Sequence, residues 1–166
     1  MPQRPEPWVR DALDGLTLSF EPFADVIEEA LPLTRRHFEG LGLPYAFEPD
    51  WTGMLLAAAQ GMLGLVTARN GEGRIVGYCT GVVSFLQCAR GVRELMVTTI
   101  YLEPDYRGSL RVFRQMLRMM EDFGRERGCV RLLMMPLGRL RRGIGAAICR
   151  MGWELSVNPI YEKALT

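Results

Sequence analysis

Arg93-Glu94-Leu95-Met96-Val97-Thr98-Thr99-Ile100-Tyr101-Leu102-Glu103-Pro104-Asp105-Tyr106-Arg107-Gly108-Ser109-Leu110-Arg111-Val112 changes its hydrophobic pattern halfway along, and the architecture turns on that change. Arg93 to Leu102 is rich in Val, Thr, Ile and Tyr, which suit a pleated, half-buried strand. Glu103-Pro104 stops it, because proline cannot donate to a ladder and restricts the residue before it. Beyond Gly108 the period changes. At 100° per residue, Val112, Phe113, Met116, Leu117, Met119, Met120 and Phe123 share one broad face, while Arg107, Arg111, Arg114, Arg118 and Arg125 lie opposite. A strand thus feeds, through a tight turn, an amphipathic helix running from about Gly108 to Arg127, with Gly128 closing it.

Working outward, Met62 to Ala68 and Arg74 to Leu86 read as strands around Asn70-Gly71-Glu72-Gly73, a hairpin signal because Asn and Gly tolerate positive φ. Leu16 to Phe20 alternates weakly and is expected as a first edge strand. Phe23, Val26, Ile27 and Ala30 recur at helical spacing. Pro32 should break or kink that helix, with Leu33 to Phe38 as a second piece. Glu48-Pro49-Asp50-Trp51 opens another helix running to Gly61. After the Arg-rich helix come a strand at Val130 to Met135, a helix at Arg139 to Met151, and short strands at Trp153 to Val157 and Ile160 to Leu165. The order describes one α/β (α+β) domain over residues 1–166, with the Pro-rich residues 1–15 expected to be irregular.

Composition excludes several classes. The 166 residues are 48% apolar and 23% charged, close to an ordinary globular domain, which argues against disorder. No apolar run approaches the ~20 residues of a membrane span, and the acidic, Pro-rich start lacks a signal-peptide core, so a cytoplasmic protein is expected. Cys79, Cys88, Cys129 and Cys149 show no metal-ligand spacing and His37 is the single histidine, so neither metal nor disulfide is expected; the thiols read as small hydrophobes. The net charge of +1 hides an asymmetry: residues 1–89 sum to −5 and residues 90–150 to +7. Such a basic half faces an anion, a nucleotide phosphate or nucleic acid, or is a solvated helix face.

Ile100-Tyr101-Leu102-Glu103-Pro104-Asp105-Tyr106-Arg107-Gly108 resembles the acetyl-CoA-binding segment of the GCN5-related N-acetyltransferases (GNATs). The likeness extends through Arg125 to Val130, through Cys149 to Glu154 with its Gly-aromatic turn, and to Asn158 to Lys163 as a last strand. Glu21-Pro22-Phe23 and Leu31-Pro32-Leu33 before Arg36-His37-Phe38 resemble a phage-type branch. The resemblance implies a mixed sheet of six to seven strands with a V-shaped splay, about four flanking helices, and acetyl-CoA as cofactor. Backbone groups of Ile100, Tyr101 and Leu102 would hold the pantetheine, and Arg107, Gly108, Ser109, Leu110, Arg111 and Val112 the pyrophosphate at a helix N-terminus. The family writes Gln/Arg-x-x-Gly-x-Gly/Ala there, whereas this chain has Leu110 and Val112 where small residues are expected. Either Gly108 supplies the close approach, one residue out of register, or cofactor binding is weakened.

Acetyl transfer to an amine needs a neutral nucleophile, and an alkyl amine of pKa ~10.4 resists deprotonation at pH 7. Glu94 is the one carboxylate within Arg93 to Leu102. Thr98 stands where related phage-type sequences carry an acid, and a hydroxyl there can order a water. Ile148 occupies the place of the family's last-helix Tyr, which leaves Tyr161 and Tyr101 as candidate acids. His37 is a candidate base or acceptor contact.

The resemblance implies an N-acetyltransferase acting on a primary amine of a small molecule, of a peptide, or of an aminomethyl-type base in phage DNA reached through the Arg-rich half. A homodimer is common in the family. The competing class is a catalytically silent relative that binds CoA or nucleic acid.

Overall fold

The computed structural model describes residues 9–134, 148–150 and 152–153. Among them the elements run β1 (Val9–Leu13), β2 (Leu16–Phe20), α1 (Phe23–Gly40), α2 (Trp51–Ala59), β3 (Leu63–Arg69), β4 (Ile75–Phe85), β5 (Arg93–Leu102), a 3₁₀ turn (Pro104–Tyr106), α3 (Leu110–Glu126) and β6 (Cys129–Met134). The six strands form one mixed sheet in chain order, antiparallel except for the parallel β5–β6 pair.

Local chemistry explains the β3–β4 hairpin. Asn70 Oδ1 accepts from the amides of Glu72 at 3.1 Å and Arg74 at 3.0 Å, and Gly73 takes the positive φ of 78° that closes the turn. Two expectations fail upstream. Residues 1–15 are not wholly irregular, because Val9–Leu13 pairs with β2 across a turn at Asp14-Gly15, so β2 is an interior strand rather than an edge. Pro32 does not divide α1, which runs unbroken for 18 residues. Pro32 and Glu28 are exposed, so the lost hydrogen bond lies on the wet side, while Phe23, Val26 and Leu33 anchor the opposite face.

Each face of the sheet carries its own core. One cluster packs α3, through Val112, Met116, Leu117, Met119, Met120 and Phe123, onto β2 to β5. Glycine makes that approach close: a Cβ on Gly64 would sit 2.8 Å from the Phe123 ring, and one on Gly81 would sit 3.1 Å from Met120 Sδ. The other cluster packs α1 and α2 against Leu63, Leu65, Ile75 and Tyr78. Three α-helices lie among the described residues, fewer than the four expected. Of the helix expected over Arg139 to Met151 only Ile148–Arg150 is described, and the strands expected from residue 154 onward, with Tyr161, lie outside the described residues. Of the four thiols, Cys79 is buried as a small hydrophobe, whereas Cys88 and Cys149 are exposed.

Candidate active site

Midway along β5 the register with β4 slips. Thr99 pairs with Thr80, yet Val97 pairs with Gly81, leaving Thr98 as an extra residue. The bulge reverses the alternation. Leu95 and Val97 face the α3 core before it, and Ile100 and Leu102 face that core after it, which turns Thr99 and Tyr101 toward α1 and α2. Thr98 Oγ1 lies 2.9 Å from Thr80 Oγ1, so two hydroxyls meet where the strand bends.

Pairing with β6 runs from Arg93↔Cys129 to Val97↔Met134, and beyond Val97 that edge of β5 has no strand partner among the described residues. The Glu103 amide donates to the Val76 carbonyl at 2.9 Å; because strand groups alternate sides, Tyr101 also turns its N–H and C=O toward β4. Ile100 and Leu102 turn theirs to the opposite edge, where the Leu102 carbonyl accepts from Arg107 Nε at 2.7 Å. Tyr101 therefore presents its ring, not its backbone, beside the site.

The β5–α3 turn continues that edge. Gly108 holds a φ of 116°, and a Cβ there would meet nothing within 4 Å, so the backbone is bare on its outer side. Ser109 caps α3, its Oγ accepting from the Val112 amide at 3.2 Å. The Val112 side chain is fully buried in the core and does not screen the helix end, whereas Leu110 is 41% exposed beside it. Asp14, from the β1–β2 turn, bonds Ser109 Oγ and lies 3.9 Å from Arg111.

Across the strand from that edge stands a group of rings. His37, in the last turn of α1, stacks on Tyr101 with centroids 4.4 Å apart, and its Nδ1 is 2.8 Å from the Tyr78 hydroxyl. Arg107 Cζ lies 5.1 Å from the Tyr101 ring. Burial, then the Arg107 charge, holds His37 below the ordinary histidine range, so the ring is neutral at pH 7. Burial pushes the Tyr78 phenol up, against a hydrogen bond with Thr34 that pulls it down, so Tyr78 keeps its proton. Tyr78, Thr34, Thr80 and Thr99 line a cavity of about 100 Å³ between the sheet, α1 and α2.

The sequence-derived candidates are thus divided. His37 and Thr98 lie near the cavity, His37 through Tyr78 and Thr98 through Thr80. Glu94 is buried at the opposite end of β5, paired with Arg131. Asp50 caps α2 by accepting from the Gly53 amide at 2.9 Å, and Ile148 is buried and carries no hydroxyl. Tyr78 was missed. Its strand alternation was legible, but its meeting with His37, 41 residues away, was not.

No protein-family model and no curated protein matches the chain. Solved structures do. An aminoglycoside acetyltransferase from an uncultured soil metagenomic sample, crystallised with trehalose, aligns with TM-score 0.66 at 14% identity, covering 93% of this chain and 100% of that one. A predicted acetyltransferase with acetyl-CoA from Clostridium acetobutylicum gives TM-score 0.67 at 15% identity, over 89% and 96% of the two chains. A ribosomal-protein-alanine N-acetyltransferase from Brucella melitensis biovar Abortus 2308 gives 0.62 at 17%, over 90% and 99%. The chain has the fold of these acetyltransferases.

Proposed function

We propose that the chain is an acetyl-CoA-dependent N-acetyltransferase whose acceptor is a primary amine. The observation that carries this reading is the bulge at Thr98. It turns the following β5 side chains toward a cavity bordered by Tyr78, against which His37 lies, while past Val97 the other edge of β5 has no strand partner among the described residues. The residues fit the cosubstrate: outward backbone groups at Ile100 and Leu102 suit pantetheine amides, and bare Gly108 with the first turn of α3 suits a diphosphate. This is the reading in which Gly108 makes the close approach. Acetyl-CoA, when bound, supplies an acetyl group activated as a thioester.

The chain's own residues then manage the acceptor's proton. Tyr78 lines the cavity with its hydroxyl 2.8 Å from His37 Nδ1, and with the imidazole proton on Nε2 the phenol donates to that nitrogen. As an amine attacks, the Tyr78 oxygen receives its proton while the phenolic proton passes to the neutral imidazole. The hydroxyls of Thr98 and Thr80 order a water at the bend. Tyr161 is the candidate to return a proton to the departing thiolate. Glu94 is tied to Arg131 and takes no part.

A phage-DNA base remains the narrowest acceptor suggested by the Arg stripe of α3. That helix packs on the sheet face opposite the cavity, and Arg125 is occupied by Glu121 and Asp122, so a freely diffusing amine is favoured. Incubation with acetyl-CoA and a panel of amines, including aminomethylated DNA, read by mass spectrometry, tests the proposal. Gain of one acetyl group on a free amine supports it. CoA binding with no acceptor modified leaves the silent-relative reading standing instead.

A further inference from the structure

Resting on the acetyltransferase reading, we infer that the acceptor is a monoamine on a short, uncharged alkyl stem, and that the cavity rejects amines carrying a second positive charge along the chain.

Apart from Thr34, the cavity's helix walls are apolar, formed chiefly by Phe23, Val26 and Ile27 of α1 and by Trp51 and Met54 of α2, and β3 adds Leu65. Among the described residues its polar side chains are the hydroxyl-bearing Thr34, Tyr78, Thr80 and Thr99, the Tyr78 hydroxyl lying against His37. Among the described residues no carboxylate lines it. Of the neighbouring acids, Glu21 is engaged by Arg69 and Thr67, Glu29 by Arg69 and the Ile75 amide, Glu103 by Arg36 and Arg74, and Asp50 by the Gly53 amide, while Asp25 and Glu28 are exposed to solvent on α1. α2 itself, Trp-Thr-Gly-Met-Leu-Leu-Ala-Ala-Ala, contains no charged residue.

Two consequences follow from burying an amine here. An ammonium with no counter-charge in an apolar pocket loses its proton more readily, so the cavity helps make the nucleophile that the reaction requires. A second ammonium farther along the stem gains no such role and stays unpaired among Met54, Trp51 and Phe23, where desolvation opposes it. Size narrows the class further. A cavity of about 100 Å³ is smaller than the ~150 Å³ that accepts a benzene ring, so an unbranched alkyl stem fits better than a fused or polycyclic one.

The test compares pentylamine with 1,5-diaminopentane, which share a chain length and differ in one terminal charge, by calorimetry on the full chain with CoA absent and at saturation. Pentylamine is expected to bind at least tenfold more tightly, and affinity along the series from propylamine to pentylamine to rise about three- to fourfold per methylene. Met54→Glu, checked for folding by thermal melt, is expected to reverse the preference. Equal or tighter binding of the diamine by the unaltered chain, or no uptake of pentylamine in either condition, overturns the inference whether or not the variant folds. The acetyltransferase reading is judged separately, by acetyl-CoA titration and product mass, so either claim can fail while the other stands.

Discussion

In the proposed mechanism Tyr78 and His37 act in series on one proton, so their removals should overlap rather than add. Tyr78→Phe and His37→Gln are each expected to lower kcat by about 10²-fold or more while leaving CoA affinity unchanged. The double variant should fall little further, which steady-state kinetics on the four proteins would show. The pH profile tests the same pair. His37 must be neutral to accept a proton, and its pKa is lowered, so kcat at saturating amine should rise with pH through an inflection below the ordinary ~6.5. Arg107→Gln removes one of the two causes and should move that inflection upward. An inflection that stays put in this variant would show that Arg107 does not act on His37.

Among elements, α3 makes the sharpest demands. Its fit depends on missing side chains beneath it. Gly64→Ala would drive a methyl into the Phe123 ring, which Phe20 stacks against at a centroid distance of 5.1 Å, and should cost about 1–3 kcal/mol in denaturant unfolding. The N-terminus of the same helix is electrostatically mixed, with Asp14 beside Ser109 and Arg111 where a diphosphate would rest. Asp14→Asn removes a like charge from that position and should tighten CoA binding by about two- to fivefold at low salt, measured by calorimetry. Here the amphipathic pattern was legible from local sequence, whereas the Ser109 cap emerged from the structure. Val112 was not: its branched side chain suggested obstruction, and only the packing shows that it faces the core.

At the scale of the whole molecule, Glu21 ties the start of α1 to β3 through Arg69 and Thr67, and Glu29 extends the tie to β4 through the Ile75 amide. Burial acts to raise the Glu21 pKa, but the hydrogen bonds from Arg69 and Thr67 and the Arg69 charge outweigh it and hold the carboxyl below its ordinary value. The unfolded chain therefore binds this proton more readily. Stability from Glu21 is fully present above the ordinary carboxyl range and is lost as pH falls through the lower folded value. Urea midpoints should decline below about pH 4.5, and Glu21→Gln should be less stable at pH 7 but show a shallower acid decline. A decline of unchanged steepness in that variant would place the acid sensitivity elsewhere.

From β2 to β6, the break expected at Pro32 aside, the kinds of element and their order follow from the sequence alone, because turn chemistry at Asn70–Gly73, the stop at Glu103-Pro104 and the helical period after Gly108 are local properties of neighbouring residues. It also marked Arg107 to Val112 as a strand-to-helix turn suited to an anion. Only the tertiary structure decided what the site contains. One extra residue at Thr98 changes which side chains of β5 face α1, and Tyr78, Tyr101 and His37 meet only once that register is set. Register is a pairing between strands distant in the chain, and no spacing within any one of them encodes it.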